Sequence, residues 1–362
     1  MKTFPTLSNE KMRQRLAPPS GPVRLVIDTD AKNEIDDQFA LAWALLSQGQ
    51  LELEGIYAAP FSFAHHREEL LRAHDLLSSK APIAEEDRAL VKQYASWVEG
   101  LNGVGTDPRD VPFPGPAEGM ESSYEEILVV FEKLGLDPKD LVLRGSPGYL
   151  TSLDAPIRSP ATEHLIERAL ARDDRPLYVA AIGCITNVAS ALLLEPSIVE
   201  RIVVLWTSAY PSWSHLPNAS SLNLVQDKLA AKLLFDCGVP HVYLPGYYIG
   251  EQLKISLPEV ERWVKGKGAI GDYLYWLYTH NPIHAQRGIS GHFGRTWVIW
   301  DLIDIAWLLN PEWVPSGLVP SPVLSDDTTW RRQAGRHLMR EAHGINRDAI
   351  FRDLFDKLER AA

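Results

Sequence analysis

The feature that most constrains the fold is an alternation of short β-branched runs with helical segments. Its first unit is RLVIDTDAKNEIDDQFALAWALL, residues 24–46. Residues 23–28, VRLVID, read as a strand that follows PPSGP, a stop for the preceding arm. A helix starts near Ile35 or Asp36 and runs to Gly49, because Phe39, Ala42, Trp43 and Leu46 recur at helical spacing. LELEGIYAA reads as the next strand and HHREELLRAHDLLSS as the next helix. The pattern resumes with helix SSYEEILVVFEKLG and strand LVLRG, and continues through strands PLYVAAIG, ERIVVLW and PHVYLP with helices between them. Such alternation implies an α/β fold: an open, mostly parallel sheet flanked by helices. Residues 1–22 read as an N-terminal arm and residues 23–362 as a single domain.

Two regions break the pattern. Residues 96–120, SWVEGLNGVGTDPRDVPFPGPAEGM, are rich in Gly and Pro and read as a long loop over a surface or a site. From about residue 255 onward a helical C-terminal region begins, and six of the eleven tryptophans fall between Trp263 and Trp313. They suit a core packed with large aromatics, or, for one or two of them, the wall of a pocket for a flat ligand. TTWRRQAGRHLMREAHGI and RDAIFRDLFDKLERAA read as charged, amphipathic outer helices.

Composition narrows the function. A chain of 362 residues with 45% hydrophobic content can bury a large core. A formal charge of −11 disfavours non-specific binding to nucleic acid or anionic lipid. Two cysteines, Cys184 and Cys237, are too few for a disulfide framework, lack zinc spacings and suit core packing. The N-terminus has no apolar stretch of signal-peptide length and no 18-residue apolar run follows, so the expectation is a soluble cytoplasmic protein.

The chemistry concentrates in the first unit, where Asp28, Asp30, Glu34, Asp36 and Asp37 lie between two apolar runs. Ligands of open α/β sheets bind beyond the carboxyl ends of the strands, where Asp28 and Asp30 stand. Asp36 and Asp37 open a helix, whose free N–H groups favour negative charge. Capping accounts for one or two carboxylates, not five. Packed together they repel, and a hard divalent cation such as calcium or magnesium removes that penalty. The spacing is not that of an EF-hand, and no glycine lies between Asp28 and Gln48 to make a dinucleotide-binding turn. DTD after a strand also suits a haloacid-dehalogenase-type phosphatase, although DTDAKN lacks the small or hydroxyl residue expected soon after the pair.

DTDAKNEIDDQFALA resembles the DxDPGxDDAxA signature of the inosine–uridine-preferring nucleoside hydrolases, with two residues added between the acidic pairs. Three further segments are similar and arrive in order. VAAIGCITNVASALLLEPSI resembles GPLTNxA and places its threonine at Thr186 and asparagine at Asn187. SLNLVQDKLAAKLLF resembles EFNxxxDPEAA and places its asparagine at Asn223. WDLIDIAWLLNPEWV resembles HDPLAxA and places its aspartate at Asp301.

The resemblance implies a nucleoside-hydrolase-like fold and calcium-dependent hydrolysis of the N-glycosidic bond of a ribonucleoside. It implies Ca2+ held by Asp30, Asp37, Asp301 and the Thr186 main-chain carbonyl. Asp36 and Asn223 then bind ribose hydroxyls, Asp28 supports the loop, and Asp30 takes the proton of the attacking water. Family members are often dimers or tetramers, so a homo-oligomer is implied too. The other function class is a nucleoside- or sugar-binding protein that kept the ion but not the turnover.

Several positions depart from that pattern. AKNEI replaces the PG turn and sets Asn33 and Glu34 at the rim. IYAAPFSFAHH lacks the asparagine that follows the second strand in the family. Ser221 stands where the family carries a glutamate for the 5′-hydroxyl. Trp300 stands where a histidine often helps the leaving base, and a tryptophan stacks on a flat group but cannot donate a proton as histidine does. His292 and His215 are the candidate donors in its place; His65 and His66 read as solvent-facing.

Overall fold

The computed structural model describes residues 3–79, 81–291 and 295–362. The strands are β1 (Val23–Thr29), β2 (Leu51–Ala58), β3 (Val142–Arg144), β4 (Leu177–Ala181), β5 (Ile202–Ser208) and β6 (His241–Pro245), then β7 (Lys254–Ser256), β8 (Thr296–Val298), β9 (Ser316–Pro320), β10 (Val323–Leu324), β11 (Trp330–Arg331) and β12 (Leu338–Ala342). Eight of them form the main sheet, in the order β3-β2-β1-β4-β5-β6-β12-β9. All its pairings are parallel except the one that adds β9 antiparallel at the edge.

Every residue of β1, β4, β5 and β6 is buried, as parallel strands covered by helices on both faces must be. One helical layer brings Asp36–Leu45 together with Pro116–Leu134, Leu302–Leu309 and Arg347–Ala361; another packs Thr186–Leu194 between Pro160–Leu170 and Lys228–Asp236. Helix Asp36–Leu45 is buried at all ten positions, so it has no solvent face and its sequence carries no polar stripe.

The α/β expectation is met, including the helices of the C-terminal region. Two expectations there and in the middle of the chain are not. Residues 96–103 belong to helix Arg88–Gly103, and helix Pro116–Leu134 begins inside the supposed loop, which shrinks to residues 104–115. The glycines misled because they serve helix packing. A Cβ on Gly100 would lie 2.5 Å from the Arg287 carbonyl oxygen, and one on Gly119 would lie 2.0 Å from that of Phe61. Residues 328–345 carry β11 and β12 rather than a helix. The charges of β12 have distant partners: Arg340 donates to the carbonyls of Leu16 and Ser316, and the Glu341 carboxylate accepts from Ser212.

The order of the strands reverses between β1 and β4. The chain moves outward through β2 and β3, then returns to the other side of β1 as β4. Asp28 pairs with Ala181 across that gap, and Ile182 N–H donates to the Asp28 carbonyl at 2.8 Å. In open α/β sheets the crevice at such a reversal is where ligands bind.

Candidate active site

The last residues of β1 enter this crevice. Asp28 turns back into the protein, where one carboxylate oxygen accepts from Asn187 Nδ2 at 2.8 Å. Asn187 in turn accepts from Ser146 N–H at 2.7 Å. Burial raises the Asp28 carboxyl to about 7, although the Asn187 bond opposes the shift. Thr29 donates its hydroxyl to Asp37, a link that binds the strand end to the start of the next helix. Asp30 points the other way, onto a cavity of about 150 Å³.

The AKNEI insertion is pinned rather than loose. Ser123 donates to the Ala31 carbonyl at 2.9 Å, and Lys32 pairs with Glu126 at 2.8 Å. Glu126 also accepts from Gln38 and Tyr273, so one buried carboxylate ties helix Asp36–Leu45 to helices Pro116–Leu134 and Gly268–Thr279. Lys32 takes φ +87, a left-handed conformation that lets the chain turn within two residues of Asp30. Asn33 and Glu34 then reach the cavity wall, and Trp297 Nε1 donates to Glu34 at 3.0 Å.

Asp30, Asp36, Asp37 and Asp301 are all buried and all line this one cavity. One carboxylate oxygen from each of Asp36, Asp37 and Asp301 lies within 4.8 Å of the other two. Both oxygens of Asp30, Oδ1 of Asp36 and Oδ2 of Asp37 have no hydrogen-bond partner among the described residues. Burial is the first cause that pushes all four carboxyls well above the usual range; repulsion is the next, from Glu34 on Asp36 and among the four on the others. Buried, unpartnered and repelling oxygens are the donor set a hard divalent cation neutralises. Asp304, one turn beyond Asp301, is also buried, and neither of its carboxylate oxygens has a partner among the described residues.

The other expected residues divide. Asn223 lines the cavity, and its amide nitrogen donates to the carbonyls of Ile182 at 2.9 Å and Thr207 at 3.2 Å. It thus ties together the ends of β4 and β5 and leaves its amide oxygen to offer to the cavity. Trp300 lines the same cavity, with Tyr247 set edge-on to it at 5.8 Å. Thr186 is fully buried at the start of its helix and donates its hydroxyl to Asp227 at 2.7 Å; it does not line the cavity. Ser221 lines the cavity, but its hydroxyl accepts from Ala209 N–H and bonds Ser208 Oγ, each at 2.8 Å. His215, His65 and His66 are not on the wall, and His292 lies outside the described residues.

The sequence reading overlooked Thr29, Glu126, Asp304 and Tyr247. Thr29 carried a weak signal, as the hydroxyl between the aspartates of DTD. The other three acquire their place only through helices and strands remote in the chain.

Comparison with known proteins agrees with this geometry. The family of inosine-uridine preferring nucleoside hydrolases matches residues 25–351. A 175-residue stretch, 45% of the chain, is 25% identical to the putative pyrimidine-specific ribonucleoside hydrolase RihB of Shigella dysenteriae and covers 62% of that protein. The same extent and identity hold for the pyrimidine-specific ribonucleoside hydrolase RihB of Escherichia coli, of which 53% is covered. The chain therefore spans between half and two thirds of the curated relatives it matches.

Similar folds include a purine-preferring ribonucleoside hydrolase from Gardnerella vaginalis, at TM-score 0.60 and 17% identity over 93% of this chain and 98% of that one. An inosine-uridine preferring nucleoside hydrolase from Bacillus anthracis follows at TM-score 0.57 and 13% identity, over 93% and 99%. The effector protein XOO4466 shares the fold at TM-score 0.51 and 15% identity, over 97% of each chain. With an acidic crevice at the strand reversal and a family match that runs almost end to end, the chain belongs to the inosine-uridine preferring nucleoside hydrolase family.

Proposed function

We propose that the protein hydrolyses the N-glycosidic bond of a ribonucleoside or a related N-riboside, releasing base and ribose, in a calcium-dependent reaction. The observation that carries this reading is the convergence of four buried aspartates, three of them with orphaned oxygens, on one cavity at the strand reversal. Asp30, Asp37 and Asp301, which line the cavity, are the proposed calcium ligands, together with the Thr186 carbonyl, which the family resemblance adds and which belongs to a residue off the cavity wall. Asp36 stands close enough to Asp37 and Asp301 to share the ion or to turn toward a ribose hydroxyl. When bound, the cation acts as a Lewis acid that lowers the pKa of a water and anchors vicinal hydroxyls.

This chain's residues do the rest. Asp36 and the amide oxygen of Asn223 hold ribose hydroxyls. Asp30 accepts a proton as the oxygen of a water bonds to C1′ and the C1′–N bond breaks. The surrounding carboxylates stabilise the positive charge that grows on the ribosyl ring. The electron pair of the broken bond leaves with the base, whose nitrogen takes a proton from solvent. Trp300 faces the flat leaving group and supplies no acid. No covalent sugar intermediate is needed.

A binding protein without turnover is the second reading, favoured by Trp300 in the place of a histidine and by a Ser221 hydroxyl already bonded within the protein. A phosphatase is disfavoured, because no Lys or Arg among the described residues lines the cavity to meet a phosphate. We also place the action in a single domain, residues 23–362, behind a short N-terminal arm. A cytoplasmic setting suits its two buried free thiols, Cys184 and Cys237. No helix among the described residues is long and apolar enough to cross a membrane.

The deciding assay is a panel of purine and pyrimidine nucleosides, incubated with calcium and with chelator. Release of free base that stops on chelation supports hydrolysis. No release from any nucleoside removes the catalytic reading and leaves the binding one.

A further inference from the structure

The aromatic side of the cavity does not end at its wall. Trp300 and Tyr247 line the cavity with ring centroids 5.8 Å apart. Tyr210 lies 4.5 Å beyond Tyr247, Tyr248 lies 5.2 Å from Tyr210, and Trp213 stacks on Tyr248 at 5.7 Å. Each step is within the range of ring–ring contact. Exposure rises along the series: Trp300, Tyr247 and Tyr210 are half-buried, whereas Tyr248 is 39% and Trp213 52% exposed.

The rings are held by their backbones. The loops after β5 and β6 are joined by hydrogen bonds from Gly246 to Ser208 and from Tyr247 to Ala209, each 3.0 Å. The Tyr210 carbonyl accepts from Tyr243 and Trp330, and the Tyr247 hydroxyl donates to the Ser220 carbonyl. Ala209 and Tyr248 both take a left-handed φ, at +55° and +70°, a conformation that non-glycine residues rarely adopt. Folding thus holds two large exposed aromatics outside the core in a continuous path from the cavity. Core packing does not account for the outer two rings, which keep 39% and 52% of their surface exposed.

The size of the cavity points the same way. At about 150 Å³ it is smaller than the roughly 300 Å³ at the lower end of small-molecule sites. Its carboxylate end suits a sugar, so a planar group attached to that sugar extends outward over the rings.

We propose that Trp300, Tyr247, Tyr210, Tyr248 and Trp213 form an extended subsite for the aglycone, and that the preferred substrate is an N-riboside whose base carries a further aromatic or planar group. This rests on the nucleoside reading above. The base stacks against Trp300 and Tyr247, and the added group lies along Tyr248 and Trp213. No new bond chemistry is involved.

The test separates binding from turnover. Carbocyclic adenosine and its N6-(2-phenylethyl) derivative lack the ring oxygen that assists cleavage, so their affinities are measured by calorimetry without hydrolysis. The full chain with calcium is expected to bind the phenylethyl compound roughly 10-fold more tightly, the size of effect that one stacking contact produces. Trp213→Ala and Tyr248→Ala, both at exposed positions, are expected to reduce that preference to roughly twofold or less. Equal affinities in the parent protein overturn the subsite, even where nucleosides are hydrolysed. So does an exposed patch that instead drives self-association, seen as a dimer lost in Trp213→Ala with no change in preference. A preserved affinity contrast with no base release from any nucleoside supports the subsite as a binding feature and overturns the hydrolase reading instead.

Discussion

Two ends of one cavity are built on opposite terms. The carboxylate floor, Asp30, Asp36, Asp37 and Asp301, is buried and mutually repelling, and Asp30, Asp36 and Asp37 carry oxygens without hydrogen-bond partners among the described residues. The aromatic wall, Trp300 and Tyr247 with Tyr210 next to Tyr247, is held by hydrogen bonds and by edge-on and tilted ring contacts that need nothing from outside. Residues 300 and 301 are neighbours in the chain yet belong one to the aromatic lining and the other to the acidic one. The floor is therefore costly to the apo protein and gains from a cation, whereas the wall is complete as folded. Depth of burial alone does not reveal a functional site; a buried group that lacks a partner does.

The largest effect that tests this contrast is catalytic. Asp30→Asn is expected to lower kcat/KM for base release by roughly 10²–10⁴-fold, the usual contribution of a general base, without lowering the melting temperature measured in chelator. Activity near that of the parent would remove Asp30 from the chemistry.

Next is the response to the ion. Calcium at about 100 times its Kd is expected to stabilise the fold by roughly 2.7 kcal/mol, read from melts with calcium and with chelator. Asp301→Asn should abolish most of that gain, while the adjacent Trp300→Phe should retain it. If both variants respond alike, the floor and the wall are not distinct.

The pH dependence follows from the raised carboxyls. A carboxyl whose folded pKa lies above its unfolded value holds its proton better in the fold. Its contribution is full below the unfolded value, near 4, and is lost as pH rises through the folded one. For Asp28, at about 7, that window runs from about pH 4 to 7, and the floor aspartates shift in the same direction. In chelator, stability should fall across this window by at most about 1.4 kcal/mol per pH unit for each such group. Calcium should flatten the fall, because it favours the charged forms. A chelated protein that becomes more stable from pH 5 to 7 would contradict the unpartnered floor.

The smallest effect is at the rim. Lys32→Ala removes the ion pair with Glu126 from a half-exposed lysine and should cost less than about 1 kcal/mol in denaturant melts. A larger loss would mean that the insertion holds the floor in place.

Legibility in the sequence followed the range of the interactions. β1 and the helix after it were readable because period and turn chemistry act over a few residues. Residues 328–345 were misread because the charges of β12 resemble a solvated helix face until Arg340 meets Leu16 and Glu341 meets Ser212. Helix Arg88–Gly103 was hidden by its glycines, of which Gly100 serves a close approach to residues 287 and 288 that lies far along the chain.

By itself the sequence determined the α/β alternation and the charged turn after β1, together with the family resemblance of its four segments, because all three are properties of local pattern. Only the tertiary structure decided that β4 returns beside β1 and that Asp301 joins Asp36 and Asp37 across 264 residues of chain. It also decided that the rings of Tyr210 and Tyr247 meet at 4.5 Å. The physical reason is that a carboxylate's chemistry depends on what surrounds it. For these aspartates the surroundings come from strands and helices that meet only when the sheet closes.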